Sequence, residues 1–114
     1  MHANFIKLES LDKLDILFNE SYERPVVLFK HSSSCGISAG VYHLVGHVSS
    51  DVNVVVIQNH RDISNAIAAR TGVRHESPQA IVLINGKPVY SASHYDIEAA
   101  HIEASFVVAE KQEC

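Results

Sequence analysis

Continuous apolar runs at Val26-Val27-Leu28-Phe29, at 52–57 and at 80–84 each fit a strand buried on both faces. Stretches of helical period lie between them. Leu11, Leu14, Leu17 and Phe18 form one face of a helix that Ser10 caps, with Asp12 in its first turn, and that ends near Ser21. Pro25 closes the connection to the first run. Val41, Leu44, Val45 and Val48 mark a second helix reaching to about Ser49. A third covers 62–70, with Ile63, Ala66 and Ile67 inward and Gly72 just past its end. Asn85-Gly86 is a strong hairpin signal, joining 80–84 to a partner strand at 89–92. A final helix from Asp96 to about Lys111 places Ile97, Ala100, Ala104, Val107 and Val108 on one side. Phe5-Ile6-Lys7-Leu8 adds a short edge strand at the start.

The order is therefore β-α-β-α-β-α-β-β-α. Strand-helix-strand units followed by a hairpin and a last helix predict an α/β fold, with a mixed four- to five-stranded sheet and helices on both faces. This is the thioredoxin-like arrangement, and 114 residues suffice for one such domain spanning residues 1–114. Pro78 stands directly before the third core strand. In that fold the equivalent proline is cis and lies against the active-site thiol. Its cis bond exposes the backbone of the preceding residue, here Ser77, for pairing with an extended substrate.

The stretch Phe29-Lys30-His31-Ser32-Ser33-Ser34-Cys35-Gly36-Ile37-Ser38 carries the candidate chemistry. It reads as strand, tight polar loop and helix, with one cysteine where the helix begins. The first N–H groups of a helix lack intrahelical partners, and the macrodipole adds partial positive charge there. Both favour thiolate, and such positions lower a cysteine pKa from about 8.5 into the range of roughly 3.5–7.5. The expected donors are the N–H groups of Ile37 and Ser38, with the Ser38 hydroxyl as a third. Lys30 and His31 add positive charge if the loop folds back, and Ser32, Ser33 and Ser34 supply loop and cap chemistry. A second cysteine three residues on would expel a bound partner. That position is Ser38, so a mixed disulfide at Cys35 waits for an external thiol. Cys114, at the end of a polar tail, is expected to be incidental rather than a resolving thiol.

Composition narrows the setting. Apolar residues are 46% and charged residues 19%, and the net charge of −4 argues against nucleic acid and against an anionic membrane surface. Two cysteines are too few for a disulfide framework. No leader segment and no membrane-spanning run is visible, so a cytoplasmic protein, monomeric or weakly dimeric, is expected. His43 and His47 have the spacing of a two-histidine metal face but lie opposite the apolar stripe. No metal and no bound cofactor are expected.

Lys30-His31-Ser32…Cys35 with Ser38, together with Ser77-Pro78 and Asn85-Gly86-Lys87, resembles the monothiol bacilliredoxins of the YtxJ type. The resemblance runs from about Phe5 into the last helix, and Lys-His-Ser-x-x-Cys-x-Ile-Ser is its specific part. It implies removal or transfer of bacillithiol on S-thiolated client proteins. Cys35 would take the adduct, and Lys30, His31, Ser34, Gly36, Ile37, Ser77 and Pro78 would line the substrate. A low-molecular-weight thiol would be the co-substrate. Gly36 departs from the proline usual after the family's cysteine. Cys35-Gly36-Ile37-Ser38 is also one residue from the Cys-Gly-Phe-Ser motif of monothiol glutaredoxins, which use glutathione or share an iron–sulfur cluster. The Thr-Val-Pro and Gly-Gly…Asp features of those proteins are replaced here by Glu76-Ser77-Pro78 and Ser91-Ala92-Ser93-His94. A third reading is a binding module that uses the groove beside Pro78 and needs no thiolate.

Overall fold

Five strands form one mixed sheet in the computed structural model, which describes residues 3–34 and 36–113, with side chains through residue 106. The elements are β1 (Asn4–Lys7), α1 (Leu11–Glu20), β2 (Val26–His31), α2 (Gly36–Val45), β3 (Asp51–Val56), α3 (Arg61–Thr71), β4 (Gln79–Ile84), β5 (Lys87–Ser93) and α4 (Ala99–Glu113), with a 3₁₀ turn at His94–Asp96. The strand order is β1-β3-β2-β4-β5. β3 pairs in parallel with β1 and β2, whereas β4 runs antiparallel to both β2 and β5.

Alternation along the strands divides the core in two. Val27, Phe29, Val52, Val54, Ala80 and Val82 face α2 and the last helix, meeting Val41, Val45, Ile97 and Ile102. Val26, Leu28, Val55, Ile81 and Leu83 face α1 and α3, meeting Leu14, Leu17, Phe18, Ile63 and Ile67. The central strands are mostly apolar because both faces are covered, with Lys30, Asn53 and Gln79 as buried polar exceptions.

The expected cap at Ser10 is formed, its side chain accepting from the Lys13 amide. Gly72 ends α3 at φ 75°, and its N–H reaches the Ala68 carbonyl. The Ser77–Pro78 bond is cis. Asn85 and Gly86 have φ of 54° and 72°, the double positive-φ turn that lets two twisted strands join directly. This turn docks on the end of α1. The Asn85 N–H donates to the Ser21 carbonyl at 2.8 Å, and the Gly86 N–H to Ser21 Oγ at 2.9 Å.

Several expectations are corrected. Leu11 and Leu44 do not join their helical stripes, being 46% and 47% exposed. Leu11 is the first residue of α1. α2 stops at Val45 rather than near Ser49, yet two further turns, with the Val48 N–H donating to the Val45 carbonyl, still bring Val48 into the core cluster. The last helix starts at Ala99, after the 3₁₀ turn, which rotates its buried face. Ile97 is buried ahead of the helix and Ile102 within it, while Ala100 and Ala104 are exposed. The side chains of Val107 and Val108 lie outside the described residues.

Candidate redox site

The site gathers at one end of the sheet, where β2 delivers its last residues and α2 begins. Cys35 lies outside the described residues. What its neighbours Ser34 and Gly36 and the surrounding elements do is described. α2 is a ten-residue helix, so the N–H groups of its first turn have no intrahelical acceptor. Ile37 packs partly buried against the larger core cluster and fixes that turn to the sheet. Gly36 is exposed, and a Cβ there would meet nothing within 4 Å, so the departure from proline is not forced by crowding.

Lys30 and His31 were expected as charges on a folded-back loop. Both belong instead to β2, and the alternation of the strand sends them to opposite faces. Lys30 is 1% exposed and lies across from Gln79 of β4. Its Nζ is 3.1 Å from His75 Nδ1, and the Ser64 hydroxyl is 2.9 Å from the same nitrogen. Burial lowers the Lys30 pKa from 10.5 to about 8. His75 is held below its ordinary value by burial, then by the Lys30 and Arg61 charges, partly offset by Glu76. In the tautomer protonated on Nε2, its Nδ1 offers a single lone pair shared between the Lys30 ammonium and the Ser64 hydroxyl, and the Lys30 charge is held inside the fold.

His31 sits on the other face, with its ring 5.0 Å from Tyr42 and 6.0 Å from Phe29. Burial lowers its pKa, so the neutral imidazole prevails near neutrality. Ser38 is fully buried; its Oγ accepts from the Ser32 N–H at 3.0 Å and lies 2.8 Å from His31 Nδ1. In the tautomer with a proton on Nε2, the Ser38 hydroxyl donates to Nδ1, so its one proton is committed to His31. A proton on Nδ1 reverses that bond and releases the Ser38 O–H for another acceptor.

Gln58, which the sequence pattern does not single out, ties down the serine loop. The Ile57 N–H donates to the His31 carbonyl at 3.0 Å, extending the β2–β3 pairing by one step and presenting Gln58 to the loop. Gln58 Oε1 accepts from the Ser33 N–H at 3.1 Å, while Nε2 donates to Ser32 Oγ at 2.7 Å and to Ser34 Oγ at 3.1 Å. Only the position of an amide just past an apolar strand hinted at this role.

Pro78 is buried, and its carbonyl accepts from the His94 N–H at 2.9 Å. Ser77 and Pro78 thus stand at the start of β4, next to the strand that carries Lys30 and His31. His43 and His47 are exposed, and the described residues contain no group of three or more side chains suited to hold a metal. Cys114 lies outside the described residues.

Comparison with known proteins agrees with this architecture. A solved thioredoxin-fold structure proposed to be an oxidoreductase shares 34% identity and a TM-score of 0.81, covering 89% of this chain and 92% of its own. Thioredoxins of Malassezia sympodialis and Nicotiana alata share only 13% and 14% identity, yet each gives a TM-score of 0.70. Their matches cover 94% of this chain and 90% and 93% of theirs, a likeness of fold alone. Residues 6–102 match the pattern of the monothiol bacilliredoxin BrxC family, and the chain belongs to that family.

Proposed function

We propose that the protein carries out monothiol exchange on client proteins bearing a low-molecular-weight thiol of the bacillithiol type, with Cys35 as the exchanging residue. The observation that carries this reading is Ser38. The position where a second cysteine would resolve a mixed disulfide holds a buried hydroxyl engaged with His31 and Ser32. Membership of the bacilliredoxin family supports thiol redox chemistry, and bacillithiol is the small thiol that this membership favours.

The exchange balances in two displacements. The Cys35 thiolate attacks the small-thiol sulfur of a client mixed disulfide. That S–S bond breaks, a new one forms to Cys35, and the client leaves as a thiolate. A second molecule of the small thiol, as thiolate, attacks the adduct, restoring Cys35 and departing as the symmetrical disulfide. Net, one free small thiol is consumed and the S–S bond passes from the client to the symmetrical disulfide, so the client returns to a thiol with no outside oxidant or reductant. The first-turn N–H groups of α2 favour the Cys35 thiolate both as nucleophile and as leaving group. Ser77 and Pro78 provide the backbone edge along which an extended client segment aligns.

Intact mass spectrometry after exposure to bacillithiol disulfide and, separately, glutathione disulfide tests this reading in wild type and Cys35→Ser. A bacillithiol adduct on wild type that excess thiol removes, and that Cys35→Ser lacks, is the expected result. Preference for glutathione would favour glutaredoxin-like exchange. Absence of any adduct would leave a binding module.

A further inference from the structure

A polar cleft of about 540 Å³ opens beside the start of β4, between the connector after α3 and the end of β5, and the 3₁₀ turn that lines it packs against α2. The volume falls within the range of small-molecule sites, roughly 300–1,000 Å³. Gln79 lines it and is 1% exposed. Its Nε2 donates to the Arg74 carbonyl at 2.9 Å, which fixes the amide orientation, and lies 3.5 Å from Ser93 Oγ. Its Oε1 has no partner among the described residues. A buried acceptor left empty is costly, so a donor arriving in the cleft gains more than it would at a wet surface.

The other walls offer hydroxyls, the carboxylates of Glu76 and Asp96, and a single guanidinium to receive an acid group. Ser91 and Ser93 bring hydroxyl groups, Arg74 a guanidinium, and Tyr95, 75% exposed, a ring at the rim. Glu76 accepts from Ser93 Oγ at 3.2 Å. The His94 N–H bond to the Pro78 carbonyl joins this wall to the residue that stands next to the reacting end of the sheet.

We propose that the cleft seats the sulfur-free, hydroxyl-bearing part of the small thiol, with Gln79 Oε1 accepting from a hydroxyl or amide N–H and Arg74 facing a carboxylate. This rests on the exchange reading above. A thiol built on a sugar acid, as bacillithiol is, supplies both groups, whereas an apolar client side chain would leave Gln79 unpaired.

Two measurements on the full chain test it. The first titrates glucosaminyl malate, the cysteine-free portion of bacillithiol, while amide and side-chain NMR shifts are followed. Shifts at Gln79, Ser91 and Ser93 are expected, and Gln79→Met weakens binding by about fivefold, the size of one neutral hydrogen bond. The second compares reduction of a client carrying bacillithiol with one carrying only a methylthio group. Gln79→Met slows the first by about fivefold and leaves the second unchanged. Arg74→Gln, an exposed change, serves if Gln79→Met does not fold.

Shifts elsewhere or none, or equal slowing of both clients, would overturn the assignment. If bacillithiol still moves onto Cys35, the cleft proposal falls alone. If glucosaminyl malate binds the cleft but no adduct reaches Cys35, the exchange reading falls instead.

Discussion

His31 Nδ1 and Ser38 Oγ, 2.8 Å apart, join the end of β2 to the first turn of α2. The same hydroxyl oxygen accepts the Ser32 N–H, so one side chain holds strand, loop and helix together. Ser38→Ala leaves two polar groups without their partner in a buried setting. A loss of about 1–3 kcal/mol in unfolding free energy is expected, read by urea denaturation. A wild-type midpoint in the variant would show that this hydroxyl is dispensable to the fold.

Gln58 acts on the loop rather than on the core. Gln58→Ala removes the amide that holds Ser32, Ser33 and Ser34, and as an exposed change it should cost less than about 1 kcal/mol of global stability. Thiol exchange is expected to slow by about three- to tenfold, in line with lost neutral hydrogen bonds. Gln58→Glu keeps the acceptor for Ser33 and loses both donors, so its rate should fall between the two. Equal rates for all three proteins would refute a positioning role.

Lys30 gives the protein a distinctive alkaline profile. Its pKa falls from 10.5 to about 8 on folding, so below pH 8 the full cost of burying the ammonium is present. Between about 8 and 10.5 the folded state releases the proton before the unfolded state does, and stability rises with pH. The gain is about 3–4 kcal/mol at most, from about 1.4 kcal/mol per pKa unit. Lys30→Met should abolish this slope and match or exceed wild-type stability at pH 7, as buried charges replaced by apolar groups often do. His31 and His75, both held below 6.5, act at the acid end, where stability should fall as pH drops beneath 6.5. Denaturation midpoints measured across pH for wild type and Lys30→Met decide the alkaline case.

Gly86 combines φ of 72° with a close neighbour, for an added Cβ would lie 2.7 Å from the Tyr22 hydroxyl. Gly86→Ala is expected to destabilise by about 1–2 kcal/mol from backbone conformation alone. Adding Tyr22→Phe should remove the hydroxyl contact, leaving the ring carbon 3.1 Å away and the backbone cost, so recovery is expected to be partial. Full recovery in the double variant would show that crowding alone explains the loss.

The fold was legible wherever a local rule forces one outcome. Asn85-Gly86 could hardly be anything but a hairpin turn, Ser10 offered a cap, and the unbroken apolar runs required strands covered on two sides. The site was half legible. The start of α2 after the serine loop could be placed, but Lys30 was misplaced because a lysine beside a polar loop reads as solvated. Its burial depends on Ser64 and His75, far away in sequence, which offer it an acceptor and a lining. Gln58 and Gln79 escaped for the same reason. An amide acquires meaning only from what tertiary structure places opposite it, and no periodicity encodes that.

The antiparallel seam between β2 and β4, with Lys30 beside Gln79, has a consequence for when reactivity can arise. The cysteine is supplied early in the chain, but the proline wall and the polar cleft arrive some forty residues later in synthesis. A nascent or partly unfolded chain therefore carries the thiol without the surface proposed to hold its substrate. On the proposed exchange reading, selectivity would arise only when the two halves of the sheet have closed, and so would report completion of the whole fold.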